Sequence, residues 1–397
     1  MRLRTSLFAA FFAFVSFATS AHENDMHHAV TVPMQLELGR PYIDVTLVGT
    51  GGKTVRAHAW VDTGGGAILL SAGLARKLGL EATGKPVREQ GHALAPVRAP
   101  ALRIGGEPIK WAKGVAFIAL DEATMLSSSD AQMQIPAREL RDHVVTFNYP
   151  ARTFSVAEQA QPDAGAPMKT YIGDSGMPVV WLSIADRTEG FLLDTGGQFT
   201  MVSGAKLHDW GSRHPAWKQA AGAYGPANML LPHEDRLEML RVGEMKWGPF
   251  IIRDVGAVSR PAGVYEKWMS QMLGQAVIGS IGGNVLRDFC VTIDYPAGKV
   301  HLQREGSSAR PHPPLAMVGV TLINAPHDGY DIAGTANDVR DVHPGDRLMA
   351  VDGHEVTSMP YFRVAAWLSG KPGETRKLAV IRDGKAMTIK ASVRSVF

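Results

Sequence analysis

Apolar and polar positions alternate in short runs along most of the chain, the period-two pattern of half-buried strands. Ile43, Val45 and Leu47 alternate with polar or small residues, Gly49-Thr50-Gly51-Gly52-Lys53 makes a turn, and a second strand runs from Thr54 into Asp62. Ser71 is placed to cap a short helix whose Leu74 and Leu78 share a face. The same order then recurs. Val179 to Ile184 reads as a strand, Asp186 to Gly190 as a turn and Phe191 to Leu193 as a strand, while Ser203 precedes a poorer helix at Ala205-Lys206-Leu207. Beyond Leu315 the strands are short again, with a hairpin turn at Asp352-Gly353 and one helix from near Pro360 to Leu368 that ends at Gly370.

The recurrence is a duplication. WVDTGGGAILLS, Trp60 to Ser71, has its counterpart in FLLDTGGQFTMVS, Phe191 to Ser203. Leu102-Arg103-Ile104-Gly105 matches Leu240-Arg241-Val242-Gly243, and each is followed by a Trp, Trp111 or Trp247. LRDHVVTFNYPA from Leu140 aligns with LRDFCVTIDYPA from Leu286. The offset is 132 residues between Asp62 and Asp194 and 146 between Leu140 and Leu286, so the second copy carries 14 more residues in between. A repeat this long is a doubled domain rather than a solenoid. The copies span 35–157 and 170–304, separated by the linker AEQAQPDAGAP, and the joint REGSSARPHPP precedes a third domain at 315–397.

Composition narrows the class. The chain has 397 residues, 45% of them hydrophobic and 20% charged, as expected of a globular protein of two or three domains. A net charge of only +3 with interspersed signs leaves no basic footprint for nucleic acid. The single cysteine, Cys290, excludes an internal disulfide framework; in FCVTID it reads as a small buried apolar residue. Arg2 and Arg4, an apolar run from Leu7 to Ala18 and the small residues Ala18-Thr19-Ser20-Ala21 form a secretory signal over residues 1–21. The expectation is export, to the periplasm or the medium, with membrane contact only if that segment stays uncleaved. His22, His27 and His28 of the following tail read as exposed polar residues, and no metal or other cofactor is expected.

The chemistry is concentrated in the doubled loop. Each Asp stands at the end of an apolar strand, and the glycines after it, Gly64 and Gly65 or Gly196 and Gly197, permit a tight turn and close backbone approach. If the loops meet, Asp62 and Asp194 share one site and cannot both ionise easily, so the pair holds a proton between them. One carboxyl then serves as base and the other as acid.

On these residues, with the tail IGSIGGNVLRDFCVTIDYPAGKVHL, the chain resembles retropepsin-like aspartic proteases, with both lobes in one chain. The resemblance implies a mainly β fold of two tandem acid-protease barrel lobes forming one bilobed unit, and an aspartic endopeptidase with Asp62 and Asp194 as the catalytic pair. It also implies that Thr63 and Thr195, with Gly64 and Gly196, support the loops through hydroxyl-to-backbone hydrogen bonds. Ile281-Gly282 or Ile278-Gly279 resembles the segment that packs behind the catalytic loop. Tyr224, within Gly222-Ala223-Tyr224-Gly225, is the candidate for a hairpin flap over the substrate, with Gly91-His92-Ala93 as its counterpart.

The C-terminal segment, with Val342-His343-Pro344-Gly345-Asp346-Arg347-Leu348 leading into AVDG, resembles a bacterial PDZ domain, β with one or two short helices. By that resemblance Val318-Gly319-Val320 is the loop that binds a peptide's terminal carboxylate, and the adjacent strand edge adds the peptide as a further strand. The implied partners are a peptide or protein substrate and a PDZ ligand peptide. The whole order resembles predicted bacterial aspartyl proteases.

Two other readings are open on the sequence. The first copy has Ile135-Pro136-Ala137 where the second has Ile281-Gly282-Gly283, and Gly65 and Gly197 stand where many family members have Ser or Ala. The missing glycine favours a catalytically impaired, protease-like peptide-binding module. Gly173-Asp174-Ser175-Gly176-Met177-Pro178 resembles the nucleophile loop of trypsin-like serine proteases, with His58 and Asp121 completing the set. The duplication accounts for the same stretch without a nucleophile, because Gly176-Met177-Pro178 aligns with Gly39-Arg40-Pro41.

Overall fold

The computed structural model describes residues 29–89, 92–121, 126, 129–231, 233–304, 315–325 and 329–396. Residues 1–21, expected to be a signal, the histidine tail, Gly91 and most of the joint at 304–314 lie outside the described residues. The chain is mainly β, with two repeated lobes joined by a common sheet and a C-terminal β domain, the fold class expected.

The common sheet carries the best-matched part of the duplication. Its six strands run in the order Val30–Pro33, Thr153–Ala157, Val144–Asn148, Cys290–Asp294, Lys299–Gln303 and Ala166–Met168. The two LRD tails supply the central antiparallel pair. Thr146 and Thr292 lie directly opposite, their hydroxyls 3.0 Å apart. They are also equivalent in the repeat, so a local two-fold axis passes between them. Alternation turns Val291 and Ile293 into the core and Cys290 to the other face. Cys290 is therefore half-buried rather than buried, and partial burial pushes its thiol up.

In each lobe the strand leading to the Asp runs antiparallel to the strand before it: Thr54–Asp62 beside Arg40–Val48, Arg187–Leu193 beside Pro178–Ile184. A third strand is wedged between the entry and exit of the loop. Met133–Pro136 lies parallel to Thr54–Asp62 and antiparallel to Ile68–Ser71. Gly279–Ile281 stands in the same way between Arg187–Leu193 and Thr200–Ser203. Because entry and exit strands are not neighbours, the loop must cross the end of the wedged strand, and this holds the Asp at the sheet margin. Ile43, Val45 and Leu47 are buried as their alternation requires.

Ser71 caps the helix Ala72–Leu78, accepting from the Leu74 N–H at 3.2 Å, and Gly79 ends it in the left-handed region. The helix expected to be poorer is the longer one, Gly204–Arg213, because Leu207 and Trp210 bury a face of it. Ser203 makes no cap there; its hydroxyl bonds the Glu266 carboxylate instead.

The C-terminal sheet is ordered Ala316–Val318, Lys385–Ser395, Thr375–Arg382, Arg347–Val351, Tyr330–Thr335 and Val320–Asn324, with the helix Tyr361–Leu368 entered after Pro360. Asp352 and Gly353 both have positive φ, 51° and 87°, as a two-residue hairpin turn requires. This domain does not stand apart. Phe199, Ala223, Tyr224 and Ala227 of the second lobe share one buried cluster with Met317, Val318, Leu322 and Tyr361.

Candidate active site

The two Asp loops face each other across the local axis and interlock. The Thr63 N–H donates to the Thr195 hydroxyl at 3.0 Å, and the Thr195 N–H donates to the Thr63 hydroxyl at 2.9 Å. The Thr63 hydroxyl donates to Leu193 O at 2.7 Å, and the Thr195 hydroxyl to Val61 O at 2.8 Å. Both threonines are fully buried, so four satisfied polar contacts lock one loop to the other. Within each loop a backbone N–H holds the carboxylate, Gly64 to Asp62 Oδ1 and Gly197 to Asp194 Oδ1, each at 2.9 Å.

Glycine is required where the loops touch. A Cβ on Gly64 would lie 2.6 Å from Asp194 Oδ1, and one on Gly196 would lie 2.1 Å from Asp62 Oδ1. Each carboxylate therefore packs on the bare backbone of the opposite loop, which turns both Oδ1 atoms inward. Asp62 is buried and Asp194 partly so.

The Asp62 carboxyl is pushed up to about 8, and that of Asp194 is raised above the usual aspartate range. Burial is the larger cause for each, and the charge of Asp194 adds to it at Asp62. The Arg40 guanidinium, stacked 4.6 Å over the Trp60 ring, opposes the rise at both. The result is a pair that retains one proton where an ordinary Asp would have lost it.

Three residues of this site were not singled out from the sequence. Gln134, buried in the wedged strand, donates from Nε2 to Asp62 Oδ2 at 2.7 Å. It occupies the space that Gly65 leaves, since a Cβ on Gly65 would be 2.1 Å from that nitrogen. Its repeat counterpart, Ser280, turns to the Tyr265 hydroxyl at 3.0 Å, so the donor is one-sided. The available signal was a lone amide in the apolar run Met133–Pro136. Tyr149 and Tyr295, equivalent in the two tails, are buried near enough that the charges of Asp194 and Asp62, after burial, help raise their phenols.

The missing glycine of the first lobe does not displace its loop. Pro136 has φ −86° and pairs in register with Asp62, so proline fits the extended backbone there. In the second lobe a Cβ on Gly282 would lie 2.7 Å from Phe199 O and 2.8 Å from Gly197 O. The two copies thus meet different constraints at equivalent places.

The flap assignment needs correction. Tyr224 is 2% exposed and lies in the cluster shared with the C-terminal domain, not in a free hairpin. Burial raises its phenol to about 12, and the acting neighbours are Asp235, Asp338, Thr321 and Arg394. On the first-lobe side, Val87–Glu89 and His92–Arg98 do pair as a hairpin. Val318 and Val320 are buried core residues, while the Gly319 carbonyl accepts from the Ala336 N–H at 2.8 Å.

The serine set is not assembled. Ser175 Oγ accepts from the Met177 N–H at 3.2 Å, His58 Nδ1 pairs with Asp44 at 3.1 Å, and Asp121 accepts from the Ala93 N–H. Among the described residues no cluster of three or more metal-ligating side chains occurs, and no helix is long and apolar enough to cross a membrane.

Comparison with known proteins locates the C-terminal domain. Residues 331–393 match the PDZ domain family, so this part of the chain is a PDZ domain. Among solved structures, the crystal structure of aspartic proteinase from Irpex lacteus aligns with 72% of this chain and 100% of that one, at 11% identity and a TM-score of 0.47. No curated protein matches the chain.

Proposed function

We propose that this chain is an aspartic endopeptidase whose Asp62 and Asp194 activate water within one molecule. The observation that carries this reading is the pair of raised carboxyls held across interlocked loops. A water between the carboxyls loses a proton to the ionised Asp as its oxygen attacks the scissile carbonyl carbon. The protonated Asp gives its proton to the carbonyl oxygen, yielding a neutral tetrahedral diol. The Asp that took the water's proton then passes a proton to the amide nitrogen while the other Asp takes one from a diol hydroxyl, so that the C–N bond breaks and the singly protonated pair is restored. Desolvation strengthens each of these interactions relative to bulk water.

The same reading includes export directed by residues 1–21 and recognition of a peptide end by the PDZ domain. The PDZ family match supports peptide recognition.

The test is cleavage of a peptide library by the chain from His22 onward, mapped by mass spectrometry from acid to neutral pH. Asp62→Asn and Asp194→Asn are each expected to lose about 10³-fold or more in rate while remaining folded. Ser175→Ala should leave the rate unchanged. A full rate in either Asp variant would sink the mechanism, and loss confined to the Ser variant would replace it with a serine one.

A further inference from the structure

Part of the second lobe covers the face of the C-terminal domain between its terminal strand and its helix. In a PDZ domain an incoming peptide adds to a strand edge, and the strand available here is Val320–Asn324, the terminal strand of its sheet. The other wall is the helix Tyr361–Leu368. Gly225 and Asn228, in the second-lobe connection between Gln219–Ala221 and Glu238–Trp247, touch both walls.

The contacts are specific. The Asn228 side-chain amide donates to the Leu322 carbonyl at 3.1 Å, taking an edge-strand acceptor that an added peptide strand would use. On the helix side the buried Tyr361 hydroxyl donates to Gly225 O at 2.9 Å. A Cβ on Gly225 would lie 2.9 Å from Met317 Sδ, so the segment enters the domain at a residue without a side chain. Tyr224 and Ala227 fill the apolar space in the shared cluster.

The segment is also fastened from behind. The Glu234 carboxylate accepts from the Met229 N–H at 2.8 and 2.9 Å, and Arg260 Nη1 lies 3.6 Å from it in a buried pair. The connection is therefore built to hold one shape with its near half in the groove.

We propose that the groove between Val320–Asn324 and Tyr361–Leu368 is a peptide site whose resident occupant is the chain's own Tyr224-to-Asn228 segment. An outside peptide with a free C-terminal carboxylate enters by displacing it. The proposal rests on the peptide-binding reading of the PDZ domain and is independent of the peptidase reading. The consequence is reciprocal. A peptide pays the cost of undocking, so its apparent affinity falls by the fraction of open grooves, and its binding frees a connection of the second lobe. This couples the PDZ domain to the half of the molecule that carries Asp194.

The experiment uses the chain from His22 in the Asp62→Asn background, so that peptides are not cut. Fluorescein-labelled short peptides, randomised over their last residues and made as free acids or amides, are titrated by anisotropy. Tyr224→Ser with Asn228→Ala is expected to tighten free-acid binding about 10-fold or more and to leave the amides unbound. Hydrogen exchange gives a readout needing neither groove substitution. Saturating free-acid peptide should speed exchange across 222–230 in the chain with Tyr224 and Asn228 intact. Equal affinities with and without the substitutions, binding of neither peptide form, or unchanged exchange at saturation would each overturn the proposal.

Discussion

At the scale of single residues, the threonine interlock of the loops is symmetric and the donors to the two carboxylates are not. Asp62 Oδ1 takes the N–H two residues on, that of Gly64, and Asp194 Oδ1 the N–H three residues on, that of Gly197, while Gln134 serves Asp62 Oδ2 and Ser280 is turned away to Tyr265. A donor to a carboxylate stabilises its charged form, so Gln134 opposes the upward push that burial gives Asp62. The sign of its removal follows. In Gln134→Leu the ionised form of Asp62 loses its donor, the proton that Asp62 keeps beside a charged Asp194 is held to higher pH, and the alkaline limb of kcat/KM moves upward. A hydrogen bond to a charged group is worth about 1.5–3 kcal/mol, which corresponds to a displacement of about one to two pH units. A pH–rate profile measures it, and an alkaline limb that stays in place or moves down contradicts the assignment. Gln134 was hard to read in the sequence for a physical reason. Its meaning depends on Gly65, 69 positions earlier, leaving a space that only the folded loop defines.

At the scale of elements, the loops, their strands and the duplication were legible because each is a local pattern or a direct repeat. Asp62 and Asp194 end strands as expected, and Thr63 and Thr195 make the hydroxyl-to-backbone bonds that the resemblance implied. Less legible was how the copies diverge. Pro136 for Gly282 looks like the loss of a support, yet the second-lobe glycine is demanded by Phe199 O and Gly197 O, close backbone neighbours of its own lobe. A pattern of residues along the chain cannot show which neighbour crowds which position. Gly282→Ala should therefore destabilise by about 1–3 kcal/mol, as overpacking against backbone does, and should reduce activity by moving the Asp194 loop. Pro136→Ala, in an extended position that any residue adopts, should change activity by less than about twofold. Thermal unfolding and rate measured on the two variants distinguish them, and equal effects would mean that the two turns carry the same constraint.

At the scale of the whole molecule, the question is whether the PDZ domain is an appendage or a part of the lobes. The sequence placed it after a Pro- and Ser-rich joint, the pattern of a tethered module, and its fold was readable from the turn at Asp352-Gly353 and the strand before it. Docking was not readable, because the residues that make it are ordinary apolar ones. Phe199, Ala223, Tyr224 and Ala227 gain their meaning only when Met317, Val318 and Leu322 are packed on them. Arg363 of the PDZ helix also reaches the first lobe, at 2.9 Å from Asp130, but that pair is half-exposed and contributes little. The shared cluster contributes more, since burying one large side chain such as Tyr224 is worth about 1.5–3 kcal/mol. Two domains that share a buried cluster unfold together. Calorimetry of the chain from His22 should accordingly show one cooperative transition, and removing 315–397 should lower the midpoint of the remaining lobes and expose an apolar face that promotes aggregation. The truncated chain is for that reason a poor control for ligand binding, because it alters the second lobe as well as deleting the groove. Two separate transitions, with lobes equally stable after truncation, would show that the PDZ domain is only tethered and that the contacts of Asn228 and Tyr361 carry no stability.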